Sequence, residues 1–429
     1  MNKVNLMTIA LLSICASHAL EAKTTVIYAG QLLAIPGEEP LKEQTIVIDD
    51  KKITQVLKGY AQVGTFAEDS TFIDLKDSFV LPGLMDMHVH LQGELGPDNA
   101  KDSMKMSAQL VGMRSISFGM KTLLAGFTTV RDVGSDSQYM FAYRDAVQNG
   151  WVDGPRIIAA SGVGITGGHA DVSGVKPELL EFYTDKSICD GPYDCRRATR
   201  RAIKFGADWI KITSTGGVLT DRATGTGQQM EMDELKEVVL AAKRMGRKVA
   251  SHAHHEDGII AALEAGVDSI EHGSYTGPKA IKLFKKTGAY LVPTLLAGET
   301  VMQMAKSSDF MSPAIKQKAI KVGAEMKGSL ARAYKAGVKI AFGTDSGVSK
   351  HGINAQEAVL MHQAGMPTMA VIKSATVNAA DLLDMSATIG SIEVGKYADI
   401  IAVDKSPLED IEELLDVDFV MKEGKVYKN

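Results

Sequence analysis

The chain has 429 residues, of which 45% are hydrophobic and 23% are charged, and 47 Lys plus Arg against 52 Asp plus Glu give a formal net charge of −5. This composition is typical of a soluble globular protein and excludes disordered, collagen-like and polytopic membrane proteins. No basic run stands out, so nucleic acid is not an expected partner. The length suggests two or three domains, or one large barrel with an accessory domain.

Residues 1–22 have the layout of a secretory signal peptide. Lys3 precedes a mostly apolar stretch at residues 4–16, and the small residues Ala19 and Ala22 offer cleavage sites. The apolar stretch is shorter than the roughly 20 residues that a membrane-spanning helix needs, so no membrane span is expected. A buried N-terminal helix is the alternative. We therefore expect an exported protein, periplasmic or secreted.

Short β-branched runs separated by Gly, Pro and Asp occupy both ends of the chain. They lie at residues 24–28, 44–48, 52–56, 399–403 and 419–421. Because the two ends share this character, the sequence predicts one small β-sandwich domain built from residues 23–80 together with residues 385–429.

The central part, residues 81–384, alternates short apolar runs with longer segments in which apolar residues recur every three or four positions. Strands that alternate with helices indicate a parallel sheet, and eight such units over about 300 residues predict an α/β fold, the (β/α)8 TIM barrel. A doubly wound open sheet is the alternative, although it normally has fewer units. The eight runs lie at residues 83–88, 128–130, 156–160, 209–213, 248–252, 269–272, 290–293 and 339–342, with helices expected at 232–245 and 313–336.

Polar residues cluster at the C-terminal ends of these predicted strands, where barrel enzymes place their active sites. Each of them alone could be a satisfied hydrogen-bonding or helix-capping residue, but together they suggest a metal site for zinc, manganese or iron. Strand alternation places the first two histidines on one face, and a lysine inside an apolar strand is costly unless it is paired or chemically altered. The residues are His88, His90, Lys211, His252, His272 and Asp345.

These residues lie in segments that resemble the metal-dependent amidohydrolase superfamily over nearly the whole chain. The matching segments are LPGLMDMHVH at 81–90, DWIKI at 208–212, SHAH at 251–254, IEHG at 270–273, GTD at 343–345 and VGKYAD at 394–399. The resemblance implies a barrel with a binuclear metal centre, zinc being the expected ion, and a homo-oligomer. It assigns His88, His90 and Asp345 to one ion, His252 and His272 to the other, and a carboxylated Lys211 as the bridge.

Within the superfamily, three further segments are similar to the exported Xaa-Pro/Xaa-Arg dipeptidase group, to which ochratoxin-hydrolysing amidohydrolases also belong. They are TGGH at 166–169, STGG at 214–217 and HAH at 252–254. The resemblance implies cleavage of a dipeptide or N-acyl amino acid, with release of a free C-terminal amino acid. It implies that His169 and His254 contact the substrate, without deciding which of them lies near the scissile carbonyl. A hydrogen-bonded structural role is the alternative for His254.

The same resemblance implies metal-assisted amide hydrolysis, in which Asp345 accepts a proton from the attacking water and delivers it to the leaving amine. A histidine would stabilise the oxyanion. Arg222, in a Gly- and Thr-rich loop, is a candidate partner for a substrate carboxylate because its planar group suits bidentate contact, although it could equally be solvated.

Two other functions are compatible with this scaffold. Deaminases and cyclic-amide hydrolases of the imidazolonepropionase-like type lack the strand-four lysine and often carry a Glu three residues after the strand-five histidine. Here Lys211 is present, and His255 occupies that position with Glu256 after it. A barrel that has lost catalysis would lack several ligands, whereas all six are present. His255, His351 and His362 are expected on the surface or in loops.

A pair of cysteines follows the third predicted barrel strand. Cys189 and Cys195 flank a Gly-Pro turn and could close a small loop by a disulfide in an oxidising compartment, or could be two unpaired thiols. Their spacing is wider than that of a zinc knuckle, so metal binding there is not expected.

Overall fold

The computed structural model describes residues 24–172, 175–183, 186–220 and 225–429. The predicted signal peptide at residues 1–22 and the candidate substrate residue Arg222 lie outside the described residues. In the part of the chain that is described, no helix combines the length and the apolar character that crossing a membrane requires.

The strands and helices alternate through the middle of the chain. The strands are β1 (Thr24–Leu32), β2 (Leu41–Asp49), β3 (Lys52–Lys58), β4 (Thr71–Pro82), β5 (Leu84–Val89), β6 (Phe127–Asp132), β7 (Arg156–Ile165), β8 (Ile188–Cys189), β9 (Trp209–Thr213), β10 (Lys248–Ala253), β11 (Ser269–His272), β12 (Tyr290–Val292), β13 (Lys339–Ile340), β14 (Ile400–Val403), β15 (Phe419–Lys422) and β16 (Lys425–Lys428). The helices are α1 (Asn99–Lys105), α2 (Ala108–Leu124), α3 (Ser137–Gln148), α4 (Leu180–Tyr183), α5 (Gly191–Lys204), α6 (Met232–Arg244), α7 (Glu256–Ala265), α8 (Pro278–Thr287), α9 (Leu295–Ser307), α10 (Pro313–Lys335), α11 (Gln356–Gln363), α12 (Thr368–Ser374) and α13 (Val377–Leu382).

The two chain ends form one seven-stranded sheet in the order β16-β15-β14-β4-β1-β2-β3. Strand β4 joins the halves, because it runs parallel to β1 and its last residues pair antiparallel with β14, where Ile400 faces Pro82. Apolar side chains from both ends, including Ile27, Ile46 and Phe419, share one core. One sheet built from both chain ends, as predicted, is therefore confirmed, although β4 itself was not among the predicted strands.

The central strands form a parallel sheet in the order β5-β6-β7-β9-β10-β11-β12-β13, with the short β8 beside β7. The segment after β13 returns to β5, where the Asp345 amide donates to the carbonyl of His88 at 2.7 Å and the His90 amide donates to Ser346 at 2.7 Å. These bonds close the barrel. All eight predicted strands and the predicted (β/α)8 fold are confirmed.

Apolar side chains fill the end of the barrel opposite the C-terminal ends of its strands. Met87, Trp209, Tyr290 and Val292 meet residues of α13 such as Ala380 in one buried cluster. The polar residues at the opposite ends of the strands face the cavity at the C-terminal face of the barrel instead.

The loop after β7 is held by a disulfide between Cys189 and Cys195, whose Cα atoms are 4.9 Å apart. Both residues are buried, one at the end of β8 and the other in the first turns of α5. The bond therefore ties a loop of the active face to the helix that follows it.

A buried ionic cluster connects the barrel to the terminal sheet. At the start of β7, Nη1 of Arg156 lies 2.6 Å from Asp399 and its Nη2 lies 2.7 Å from Glu423. Asp399 is only 6% exposed. Because a buried carboxylate without its partner is costly, this arginine is expected to matter for stability.

We expect Arg156→Met to lower the free energy of unfolding by about 3 kcal/mol, because two carboxylates lose their cation. Urea denaturation followed by circular dichroism measures the change. Lys425→Met is the matched control, since Lys425 pairs with Asp153 at 2.6 Å across the same junction but is largely exposed. That variant should lose less than about 1 kcal/mol. Equal losses in the two variants would contradict the proposed importance of the buried cluster.

Candidate metal and active site

A cavity of about 460 Å³ opens at the C-terminal ends of the barrel strands. It brings together all the metal-ligand candidates predicted from the sequence and both predicted substrate histidines. Its lining includes His88, His90, His169, Lys211, His252, His254, His272 and Asp345. Of the predicted catalytic, metal-binding and substrate-binding residues, only Arg222 lies outside the described part of the chain.

Asp345 and three histidines lie at the centre of the cavity. Oδ1 of Asp345 is 2.9 Å from Nε2 of His90 and 3.4 Å from Nε2 of His88. One ligand atom from each of His88, His272 and Asp345 lies within 4.8 Å of the others. Two imidazoles and a carboxylate at this spacing could hold a divalent metal ion.

The hydrogen bonding and protonation of these side chains are suited to a cation bound between them. Oδ1 of Asp345 is buried and, within the described ranges, accepts no hydrogen bond of adequate geometry. Burial lowers the pKa of His88 to about 4 and lowers the pKa of His272 well below its ordinary value. Both rings are therefore neutral at pH 7, which is the form that binds metals.

A second group of rings adjoins the first. The ring centroid of His252 is 4.6 Å from those of His254 and His272, and 4.4 Å from that of His169. Nε2 of His252 lies 3.4 Å from the carbonyl oxygen of Gly216. The cavity therefore holds a continuous histidine cluster, which extends from the metal-ligand candidates to the predicted substrate contacts.

Lys211 reaches this cluster from β9. It is 7% exposed, and no ion pair or hydrogen bond links its ammonium to any other described residue. Burial lowers the pKa of Lys211 to about 8. Gly162 pairs with it in the neighbouring strand, and no atom lies within 4 Å of the position that a Cβ of Gly162 would occupy. An unpaired buried lysine beside open space is chemically unusual.

Hydroxyl groups orient three of the histidines. Nδ1 of His272 lies 2.7 Å from Oγ1 of Thr294, and Nδ1 of His254 lies 2.8 Å from Oγ of Ser274. Nδ1 of His169 makes the same kind of hydrogen bond to Thr220. With Nδ1 occupied in each ring, Nε2 is the nitrogen that is free to bind a metal or a substrate.

His88 is oriented by a buried ionic pair that sequence reasoning missed. Its Nδ1 lies 2.8 Å from Oε2 of Glu271, and Oε1 of Glu271 lies 2.8 Å from Nη2 of Arg131. Both of these partners are fully buried. Although burial opposes ionisation, Arg131 and His88 hold the pKa of Glu271 at about 2. The sequence signal that could have indicated this pair was Glu271 itself, a carboxylate inside a short apolar strand. A buried carboxylate needs a partner as much as the buried Lys211 does.

Left-handed backbone conformations recur at the site. His272, Thr294 and Asp345 have φ values of 72°, 51° and 59°. Strand alternation alone would point Glu271 and His272 to opposite faces, but the left-handed turn at His272 brings both side chains into the barrel. Such backbone conformations cost of order 1–3 kcal/mol each and cluster at functional sites.

The three remaining histidines lie on the surface or in a loop, as expected. His351 lies in a loop and is buried there, because its ring stacks on Phe118 at 4.7 Å and its Nε2 lies 3.0 Å from the carbonyl oxygen of Gly93. His255 and His362 are exposed. None of these three lines the cavity.

Comparison with known proteins agrees with this geometry. Residues 79–427 match the Amidohydrolase family. Ochratoxinase from Aspergillus niger is 33% identical over 433 residues, which cover 95% of this chain and 87% of that protein. The structure of an Xaa-Pro dipeptidase with methionine bound in its active site superposes with a TM-score of 0.90 at 41% identity and covers 95% of this chain and all (100%) of that chain.

A prolidase in complex with N-methylphosphonate-L-proline gives a TM-score of 0.85 at 29% identity, again covering 95% of this chain and 100% of its own. The resemblance found in the sequence segments is thereby confirmed, and the activity it supports is hydrolysis of amide C–N bonds. The chain belongs to the amidohydrolase family.

Proposed function

We propose that this enzyme is a binuclear-metal dipeptidase that cleaves the amide bond of dipeptides or N-acyl amino acids and releases a free C-terminal amino acid, ochratoxin-type amides being possible additional substrates. The observation that carries the proposal is the single cavity of about 460 Å³ in which six histidines, Lys211 and Asp345 converge. Its size suits a small ligand such as a dipeptide. The dipeptidase, prolidase and ochratoxinase relatives support the same class of substrate.

The side chains suit two divalent cations, and zinc agrees with a set of imidazole and carboxylate ligands. When bound, the ions would lower the pKa of a water molecule and polarise the scissile carbonyl. His88, His90 and Asp345 would hold one ion, His252 and His272 would hold the other, and a carboxylated Lys211 would be a ligand of both.

Lys211 is suited to carboxylation by its surroundings. The ammonium first loses one proton to solvent. The neutral amine then attacks carbon dioxide: a bond forms between Nζ and the carbon, one carbon–oxygen π bond breaks to leave the negative charge on oxygen, and a second proton leaves Nζ to solvent, so that the former cation becomes an anionic carbamate. The lowered pKa of Lys211 increases the share of neutral amine, and the space beside Gly162 leaves room for the new group. Carboxylation would also remove the cost of an unpaired buried cation.

Asp345 is the proposed general base and acid. Its Oδ1 lies 2.9 Å from Nε2 of His90 without a hydrogen bond of adequate geometry, and we propose that it takes a proton from the attacking water and passes it to the leaving amine nitrogen. His169 and His254 are the candidates for stabilising the oxyanion. A Thr220 or Ser274 hydroxyl that donates to Nδ1 leaves a protonated Nε2 directed at the substrate. Arg222 is proposed to pair with the carboxylate of the leaving amino acid.

One contact argues against the deaminase or cyclic-amide hydrolase alternative. Oε1 of Glu256, the acidic residue nearest the position such enzymes use, accepts from the backbone amides of Lys279 at 3.1 Å and Ala280 at 3.2 Å. Glu256 therefore caps α8 and does not line the cavity, so it is not placed to act as their general acid.

The proposed activity is tested by incubating the purified mature protein with a panel of Xaa-amino acid dipeptides and N-acyl amino acids and identifying released amino acids by mass spectrometry. Release of a free C-terminal amino acid with a side-chain preference is the expected result. No release from any member, with metal confirmed in the sample, would contradict the dipeptidase proposal and direct attention to lactones, cyclic imides and aminated heterocycles.

Lys211→Met tests the bridging role. We expect bound metal to fall from two ions per chain to one or fewer and activity to fall at least about 100-fold, because the shared anionic ligand is lost. Inductively coupled plasma mass spectrometry measures the metal. Lys248→Met, at the opposite end of the adjacent strand β10, should retain two ions, since Lys248 pairs with Asp384 at 2.6 Å away from the cavity. Full metal content in Lys211→Met would exclude a bridging lysine.

We also propose that the protein is exported after removal of residues 1–22 and works as a homo-oligomer. Fractionation of the producing cells and N-terminal sequencing of the mature chain test export. Light scattering of the purified enzyme tests the subunit number.

A further inference from the structure

One side of the active-site cavity is formed by apolar side chains from two helices. Ala297 and Val301, one turn apart, project from α9, and Ala319, Val322 and Met326 occupy one face of α10. Spacings of three and four residues place each set on a single helix face. We call these five residues the apolar wall. Four of the five belong to the buried clusters of the protein, and all are at most 6% exposed.

The apolar wall is held in a fixed position by buried polar contacts behind it. The carboxylate of Glu357 accepts from the amides of Leu295 at 2.9 Å and Leu296 at 2.6 Å, which caps the start of α9. Oγ of Ser329 on α10 donates to the carbonyl of Gly273, directly after the ligand candidate His272, at 2.7 Å. Both helices are thereby tied to the barrel, so the wall is formed before substrate binds.

Charge is distributed unevenly around the cavity. Apart from the histidines, four charged residues among the described positions line the cavity. Asp136 and Arg201 lie on the side opposite the apolar wall, and Lys211 and Asp345 lie at the centre. The wall itself carries no charged or hydrogen-bonding side chain. A charged group placed against it would lose water without gaining a partner, which is strongly unfavourable.

We propose that the apolar wall is a side-chain subsite that accepts an uncharged hydrophobic residue of the substrate, whether aliphatic, thioether or aromatic, and rejects lysine, arginine and glutamate. This inference rests on the proposed dipeptidase activity. The subsite would narrow the choice among the leaving groups and acyl groups that the sequence left open. Burial of an apolar side chain such as Leu, Phe or Met contributes roughly 1.5–3 kcal/mol, whereas burial of an unpaired charge opposes binding.

The test compares substrates that differ in one side chain at a time. In one series of dipeptides, Met, Lys or Glu is the N-terminal residue and alanine is the C-terminal residue. In the second series, alanine is the N-terminal residue and Met, Lys or Glu is the C-terminal residue. At the position that contacts the wall, we expect kcat/KM for Lys and Glu to be at least about 100-fold below that for Met. If charged and apolar side chains are cleaved within about threefold of each other at both positions, the inference is wrong while the dipeptidase activity stands. If no dipeptide is cleaved, the proposed function itself fails.

Variants locate the subsite in the structure. Val322→Asp should shift the ratio of kcat/KM for the Lys substrate to that for the Met substrate by at least about 100-fold toward Lys, since the new carboxylate offers a partner. Ile320→Asp is the control, because Ile320 is on the same helix but 46% exposed, and it should leave the ratio within about twofold. If Val322→Asp does not fold, Leu219→Asp replaces it, since Leu219 lies on the half-exposed edge of the cavity beside the wall. An unchanged ratio in the folded variant would overturn the assignment.

Discussion

Asp345→Asn is expected to lower kcat by about 10³-fold or more while leaving the fold intact. The amide of asparagine cannot accept the proton of the attacking water, and general acid–base catalysis contributes up to about 10⁴-fold. The substitution should be tolerated because Asp345 has a φ of 59°, a left-handed conformation in which asparagine is several-fold enriched. The side chains have nearly the same volume, so no cavity is created.

The measurement combines steady-state kinetics with metal analysis, so that lost catalysis is separated from lost metal. Asp136→Asn is the matched control, because Asp136 lines the same cavity but caps α3 by accepting from the Gln138 amide at 2.9 Å. An asparagine keeps that cap, and its kcat should stay within about threefold of wild type. A near wild-type rate in Asp345→Asn would show that another group is the base.

Glu271→Gln is expected to reduce both stability and metal binding. It leaves Arg131 buried without its carboxylate partner, which costs about 3–5 kcal/mol in comparable cases. It also removes the anionic partner of Nδ1 on His88, and loss of such a partner weakens metal affinity about 10- to 100-fold. Chemical denaturation and competition with a metal chelator measure the two effects separately.

The double variant Arg131→Met/Glu271→Gln distinguishes a coupled pair from two independent losses. Because removal of both charges leaves no unpaired ion, it should be less destabilised than the sum of the single variants. Strict additivity would contradict the coupling.

The stability of the wild type should also depend on acid pH through this pair. The pKa of Glu271 is held at about 2, below its ordinary value of 4.5. A lowered pKa contributes stability above the ordinary value, and that contribution is lost as the pH falls from 4.5 toward 2. Glu271→Gln has no such contribution to lose, so its stability should change less over this interval.

Much of the site could be predicted from local patterns. Short apolar strands that alternate with helices indicated the barrel, and chemistry-bearing residues at strand ends indicated its active face. His88, His90, His252, His272 and Asp345 were found in this way, since each follows or ends an apolar run. The disulfide partners were likewise visible as a pair around a turn. The carboxyl ends of parallel strands must meet at one face, so position along the chain was enough to bring these residues together.

Other features depended on contacts between distant parts of the chain. The partner of His88, Glu271, is 183 residues away, and Arg131 lies 140 residues from Glu271. No local pattern indicates such a pair. The burial of His351 has the same origin, because its ring stacks on Phe118 of α2, which is far away along the chain. The left-handed backbone of His272 is likewise a feature that no local sequence pattern indicated.

The sequence by itself determined the class of fold, the face that carries the chemistry and most of the side chains that could hold metal, because periodicity and strand-end position are local properties. Only the tertiary structure decided how those side chains are oriented, which charges compensate them and which side of the cavity is apolar. The apolar wall shows the reason: α9 and α10 carry ordinary amphipathic patterns, and whether such a face covers a core or lines a cavity depends on what packs against it.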